Sequence, residues 1–266
     1  MTDFSGRPTS LPTRLNAARV KVGDDWVFRL APTAVMCRMG AVRASVYSYL
    51  IDVAAGIAVD DDPGMWTFTS DMTVRARPGP APATVEAAAT ILRRGGRSST
   101  CEVHVVDDQG SPVAYGILGF ARVPRRPGDP EKWTSDPNLG SRFWEPAPPV
   151  EVPLPEAAGI RVVDGPAGVV EVEIVDELRN PAGTIQGAMA ALVAEVAAEE
   201  MLSARHGGPV LVADLDIRYL AQARVGPVRT RGIWLGDGPD AGVLVELHDV
   251  TTGRFVTHVL ARAEPG

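Results

Sequence analysis

Two segments of this chain, residues 41–59 and 184–205, are apolar on nearly every side and carry few polar positions besides acids. They have the length of helices, and a helix without a water-facing stripe has to be buried. Four runs of strand character follow the first segment, at residues 66–76, 84–92, 100–106 and 113–123. Four more follow the second, at 210–219, 228–234, 242–248 and 255–262. Breakers such as Pro78-Gly79-Pro80, Gly95-Gly96 and Asp108-Gln109-Gly110 separate the strands, and a short strand at 25–30 or 169–175 precedes each helix. A buried helix followed by a meander of antiparallel strands predicts an α+β unit whose sheet wraps the helix. The pattern occurs twice.

The repetition extends to the residues themselves. At an offset of 143, Gly40-Ala-Val-Arg-Ala-Ser falls on Gly183-Thr-Ile-Gln-Gly-Ala, Asp52 falls on Glu195, and Asp71-Met-Thr-Val-Arg75 falls on Asp214-Leu-Asp-Ile-Arg218. One register held over about 70 residues points to an internal duplication. Two copies make a tandem pair, whereas a solenoid needs three or more repeats. Nine prolines between Pro124 and Pro155 read as an extended connector. Trp133, Phe143 and Trp144 within it predict that the connector is pinned to a surface. The expected organisation is an N-terminal domain at 1–126, a Pro-rich linker at 127–155 and a C-terminal domain at 156–266. The first 20 residues or so are expected to form a loosely ordered arm.

Composition narrows the function by exclusion. Apolar residues at 45% and charged residues at 22% are globular values and exclude wholesale disorder. No stretch approaches the ~20 apolar residues of a membrane span, and the first residues lack the apolar core of a signal peptide. A net charge of −7 argues against nucleic acid as a partner. Cys37 and Cys101 have no metal-ligand spacing. The expectation is a soluble, cytoplasmic protein that binds no metal, no nucleic acid and no membrane.

The approach to the second helix, Asn180-Pro-Ala-Gly-Thr-Ile-Gln-Gly-Ala-Met-Ala-Ala-Leu-Val-Ala-Glu195, resembles that of the hotdog-fold acyl-CoA thioesterases of the PaaI-like branch. In that branch an Asn is followed six residues on by a His, then a Gly, then an acid eight residues after the Gly. Asn180, Gln186, Gly187 and Glu195 stand at those spacings, with Gln in place of His and Glu in place of Asp. The stretch Gly96-Arg-Ser-Ser-Thr-Cys-Glu-Val-His-Val-Val-Asp-Asp-Gln-Gly110 is similar to the penultimate strand and turn of the same family. The resemblance covers both halves. It implies an α+β chain of two tandem hotdog domains acting on an acyl-CoA substrate without a cofactor, and it leaves open whether such pseudo-dimers assemble into homo-oligomers. The late Gln of the related TesB-like enzymes is not matched. None of His104, His206, His248 and His258 lies near a helix start, which disfavours a hydratase of this fold.

Thioester hydrolysis needs donors for the carbonyl oxygen and a carboxylate that activates water or attacks directly. Gly187 can offer an unpaired backbone N–H at a helix start, where the helix dipole adds positive potential and no Cβ obstructs. The Asn180 amide and Gln186 would add polar contacts to the substrate. An acid eight residues further along lies about 12 Å away at ~1.5 Å per residue. The family arrangement removes that difficulty by laying two helices antiparallel, so the acid of one meets the start of the other. Asp52 would then serve Asn180 and Gly187, with Ser70, eighteen residues after Asp52, holding the water. Glu195 would serve the other helix start, where Cys37 and Ala44 are the equivalents, with Ala213 at the hydroxyl position. One site keeps all its parts and the other keeps only its acid. Arg93, Arg94 and Arg97 form a basic turn suited to the phosphates of CoA.

Each of these residues has a structural reading that the sequence leaves open. Asp52 could be a hydrogen-bonded core carboxylate, and Glu195 could form a solvated stripe with Glu199. Asn180-Pro181 could simply start a turn. Ser70 could be an ordinary strand residue, Gly187 a close-packing residue, and the arginines an exposed hairpin. A non-catalytic acyl or acyl-CoA binding protein is the rival function.

Overall fold

The computed structural model describes residues 10–129, 147–238 and 241–265, so Trp133, Phe143 and Trp144 lie outside the described residues. β1 (Ala18–Val22) and β2 (Asp25–Leu30) form a hairpin, and a two-stranded ribbon of β3 (Cys37–Arg38) and β4 (Ala41–Val42) leads into α1 (Ala44–Val59). Next come β5 (Met65–Ala76), β6 (Val85–Arg94), β7 (Ser98–Asp107) and β8 (Pro112–Pro124). The second half runs α2 (Leu154–Ala157), β9 (Arg161–Asp164), β10 (Val169–Val172), α3 (Gly187–His206), β11 (Val210–Tyr219), β12 (Val228–Trp234), β13 (Val243–Asp249) and β14 (Arg254–Pro265). Apart from the ribbon, all strands join one twelve-stranded sheet in the order β1-β2-β6-β7-β8-β5-β11-β14-β13-β12-β10-β9. Helix α1 packs on β2 and β5–β8, α3 packs on β10–β14, and the two helices touch each other.

The halves meet where β5 pairs antiparallel with β11. Thr73 lies opposite Asp216, while Asp71 and Arg75 lie opposite Arg218 and Asp214. At the sequence offset of 143, Thr73 and Asp216 are each other's counterparts. The register is symmetric about this pair, since Asp71 faces Arg218, the counterpart of Arg75, and Arg75 faces Asp214, the counterpart of Asp71. Thr73 Oγ1 donates to Asp216 Oδ1 at 2.6 Å, and Arg75 Nη2 donates to Asp216 Oδ2 at 2.9 Å.

Both helices begin three residues later than the apolar pattern suggests. Ala41 and Val42 are used in the β3–β4 ribbon, and Ile185 bridges to Arg179 in an extended approach loop. Helix α3 ends at Gly207, whose φ of 72° allows its N–H to reach the Ser203 carbonyl. The two outermost strands, β1 and β9, carry little apolar patterning and were not expected. Residues 10–20 are no loose arm. Leu11 and Leu15 are buried, the Leu11 N–H bonds the Glu177 carbonyl at 2.7 Å, and Arg14 holds the carbonyls of Pro148 and Pro149, each at 3.0 Å. The described end of the connector is thus tied to this N-terminal segment.

Strand alternation sets what faces the helices. Met72 and Val74 on β5, Val103 and Val105 on β7, and Leu118 and Phe120 on β8 are buried on the inner face. In β5 the pairing with β8 slips at Ser70, with Thr69 opposite Phe120 and Asp71 opposite Gly119. Such a bulge inserts one residue and inverts the alternation beyond it. The pairing of β11 with β14 slips at Ala213, the counterpart of Ser70.

At Gly116 on β8 the sheet comes against α1 so closely that a Cβ would lie 2.7 Å from Ile51 Cγ2. Ile51 precedes Asp52, so this contact fixes the height of that part of the helix. Overpacking costs about 1–3 kcal/mol, and Gly116→Ala is expected to lower the denaturation midpoint accordingly. An unchanged midpoint would show that α1 is not seated by this contact.

Candidate active site

The start of α3 lies beside the middle of α1, and the start of α1 lies beside the middle of α3. The polar contacts define this antiparallel packing: Gln186 reaches Asp52, while Arg43 reaches Glu195 and Glu199. Arg43 and Gln186 are counterparts at the offset of 143, as are Asp52 and Glu195. Two related junctions result, and their chemistry differs.

At the first junction, Thr69 Oγ1 donates to Asp52 Oδ1 at 2.6 Å and Gln186 Nε2 donates to Oδ2 at 3.4 Å. Gln186 also caps α3, its Oε1 accepting from the N–H groups of Ala188 (2.6 Å) and Met189 (3.2 Å). One amide is therefore used at both ends, and its orientation follows from the helix start it caps. Met189 and Ala190 N–H also reach the Gln186 carbonyl. Gly187 N–H meets no acceptor among the described residues, which leaves it the free donor of the first turn. Tyr219 Oη donates to the Gly187 carbonyl at 3.0 Å, and a Cβ on Gly187 would stand 3.2 Å from that oxygen. Asp52 is half-buried between the helices. Burial pushes its pKa up to about 6, and the Thr69 hydrogen bond opposes that shift. Burial, with the Asp52 charge adding to it, raises the Tyr49 and Tyr219 phenols well above their ordinary range.

At the second junction, Ser45 Oγ donates to Glu195 Oε2 at 2.5 Å, and Arg43 Nη1 lies 3.5 Å from the same oxygen. Arg43 also bonds Glu199 Oε2 at 2.9 Å, and Arg38 Nε stands 3.3 Å from Glu199 Oε1. Glu195, Glu199 and Arg43 are 0%, 1% and 5% exposed. The solvated stripe expected for Glu195 and Glu199 does not exist, because the start of α1 covers that face of α3. Burial, and then the adjacent Glu195, raise the Glu199 pKa. Val212 is buried at the counterpart of Thr69 and offers no hydroxyl.

Several expected residues take other positions. Ser70 occupies the bulge and donates to Asp71 Oδ2 at 2.8 Å, while Thr69 faces α1 in its place. Asn180 takes the turn role, its Oδ1 accepting from Ala182 N–H (3.0 Å) and Thr184 N–H (3.1 Å). Arg94 is tied up at the far end of α1, paired with Asp61 and donating to the Ala58 carbonyl at 3.1 Å. Arg93 reaches only Ser98 Oγ, at 3.5 Å. Arg43 was legible in principle, since carrying the offset back from Gln186 lands on it. Thr69 and Tyr219 carry no such signal.

A cavity of about 280 Å³ lies under β1, β2 and β6 and is lined on α1 by Ala54, Ile57 and Ala58. Helical geometry puts those three residues on the side of α1 opposite Asp52. Among the described residues no group of three or more His, Cys, Asp or Glu side chains could hold a metal ion, and no helix is long and apolar enough to cross a membrane.

No protein-family model and no curated protein matches the chain. Solved structures do. A TesB protein of Mycobacterium avium subspecies paratuberculosis superposes with a TM-score of 0.62 at 15% identity, covering 96% of this chain and 100% of that one. A protein of unknown function with the hot dog fold from Alicyclobacillus acidocaldarius gives 0.61 at 13% identity, over 97% and 100%. The 12:0-ACP thioesterase of Umbellularia californica gives 0.59 at 12% identity, over 90% and 94%. This chain has the hotdog fold.

The raised pKa of Asp52 has a consequence for stability. The folded state holds this proton more tightly than the unfolded chain, so stability falls as pH rises from about 4 to about 6. Asp52→Asn removes that loss. The variant is expected to be more stable than the parent above pH 6, by about 1–2 kcal/mol for a half-buried carboxylate, and to show no gain below about pH 4. Thermal melts at both pH values check this, and an equal effect at both would mean Asp52 is not desolvated.

Proposed function

We propose that this protein is an acyl-CoA thioesterase that hydrolyses an acyl-CoA thioester to a free acid and CoA at the Asp52 junction. The observation that carries the reading is the convergence of a desolvated carboxylate on the uncapped N–H at the start of a helix from the other half of the chain. Asp52 takes a proton from water as the water oxygen attacks the thioester carbonyl. The Gly187 N–H and the α3 dipole stabilise the negative charge that develops on the carbonyl oxygen. Collapse of the tetrahedral intermediate expels the thiolate of CoA, which takes up a proton. Thr69 and Gln186 fix the two carboxylate oxygens and so orient the base. A base whose pKa is about 6 is ionised at neutral pH and still basic enough to accept the proton.

In this reading the chain is two hotdog domains in tandem, spanning 1–126 and 156–266 on either side of the linker 127–155, and the site is composite. Domain one supplies Asp52 and Thr69, and domain two supplies Gln186 and Gly187. Glu195 has no catalytic part, because Arg43 holds its carboxylate in an ion pair. Asn180 shapes the approach loop, and Ser70 braces Asp71. Arg93 and Arg97 remain the candidates for the CoA phosphates. A cytoplasmic location and further pairing into homo-oligomers belong to the same reading. The TesB and acyl-ACP thioesterase names among the structural neighbours support thioester hydrolysis as the reaction class.

Hydrolysis of a panel of acyl-CoAs, followed by thiol release, tests the reading. Loss of a general base is expected to lower kcat by about 10²–10⁴-fold in Asp52→Asn, with the parent losing activity on the acid side of pH 6. Activity that survives in Asp52→Asn would remove the residue from the chemistry. Binding without turnover across the panel would make this an acyl-CoA binding protein.

A further inference from the structure

The cavity on the far side of α1 has no role in the chemistry above, and the equivalent space in the other half is filled. At the offset of 143, Ala58 and Ala89 correspond to Met201 and Gly232. Following strand registers outward from β6 and β12, Phe28 corresponds to Val170, Trp26 to Gly168 and Arg19 to Val162. In the second half, Met201 fills the equivalent space, its sulfur lying where a Cβ on Gly168 or Gly232 would have to go. In the first half the plug is reduced to Ala58, and about 280 Å³ stays open between Phe28, Ile57 and Ala89.

The open half also carries a cation that the plugged half lacks. Arg19 lines the cavity with its guanidinium 4.6 Å from the centroid of the Trp26 ring. Its Nε is buried and finds no acceptor among the described residues. Burial lowers its pKa, and no carboxylate contributes to that shift. Among the described residues no acidic side chain lines the cavity. A half-open cleft with apolar side chains on its walls and one guanidinium that meets no carboxylate among the described residues is complementary to a molecule with an apolar body and a single anionic end. A buried donor without an acceptor costs stability, and an incoming carboxylate would remove that cost. At roughly 30 Å³ per water molecule, the volume has room for about nine waters.

We infer that this cavity binds a small monocarboxylate with an apolar tail, such as a medium-chain fatty acid, at a site separate from Asp52. The carboxylate pairs with Arg19 and the tail lies between Phe28, Ile57 and Ala89. A free acid is the ligand this chemistry selects, because a thioester presents no charge at that end of its acyl group. The inference concerns binding on the opposite side of α1 and does not depend on turnover at Asp52.

Calorimetric titration of the full chain with sodium octanoate, alongside uncharged octanamide, tests the site. Saturable octanoate binding is expected, with octanamide about tenfold or more weaker for want of the charge-assisted bond. Ala58→Met restores the plug of the second half and is expected to abolish binding. Arg19→Gln is expected to weaken octanoate binding by about tenfold and to erase its advantage over octanamide. Asp52→Asn should bind octanoate as the parent does. If Ala58→Met does not fold, Arg19→Gln with the two ligands decides the matter, since Arg19 is only half-buried on an edge strand. The inference is overturned if octanoate does not saturate, if its affinity is indifferent to Arg19→Gln, or if Asp52→Asn abolishes it while Ala58→Met leaves it intact.

Discussion

A carboxylate in the middle of an apolar helix cannot be satisfied by its own backbone, because every nearby N–H is already spent on the helix. It needs donors from outside, and the start of a second helix is the nearest concentrated supply. That requirement explains why α1 and α3 lie antiparallel, each presenting its start to the acid of the other. The twelve-stranded sheet serves the arrangement by pairing β5 with β11 in a register symmetric about Thr73 and Asp216.

The two junctions meet the requirement in different ways. At Asp52 the capping residue is Gln186, which is neutral, already bonded to α3, and able to offer only one N–H to the carboxylate. Burial raises the Asp52 pKa to about 6 against the Thr69 hydrogen bond, and Gly187 N–H remains open. At Glu195 the residue in the same place is Arg43, a full positive charge that pairs with both Glu195 and Glu199. Buried ion pairs of this kind add little net stability, but removing one partner costs about 3–5 kcal/mol because the other charge is stranded. The change from Gln186 to Arg43, with Val212 in place of Thr69 and Glu199 as a second acid, separates a weakly compensated carboxylate from one held in an ion pair.

The helices and most strands were legible because they rest on periodicity, and periodicity survives in the sequence. Asp52 was legible for the same reason, as a charge breaking an apolar run. Ser70 was not. Counting along β5 assumes strict alternation, and the bulge inverts it, so the hydroxyl facing Asp52 belongs to Thr69. Asn180 stands at the family spacing, yet its oxygen is committed to two backbone N–H groups of its own loop. The burial of Glu195 and Glu199 follows from helix–helix packing, which neither helix reports alone. Edge strands β1 and β9 have no inner apolar row to announce them, and only pairing identifies them.

The proposed thioesterase function requires a single working junction in each chain. Titration with a non-hydrolysable acyl-CoA thioether, followed by calorimetry, counts the sites directly. One thioether bound per chain is expected, lost on Gly187→Val, which would drive a side chain into the Tyr219 hydroxyl. Two thioethers bound per chain would contradict it, because the Glu195 junction would then be open despite Arg43.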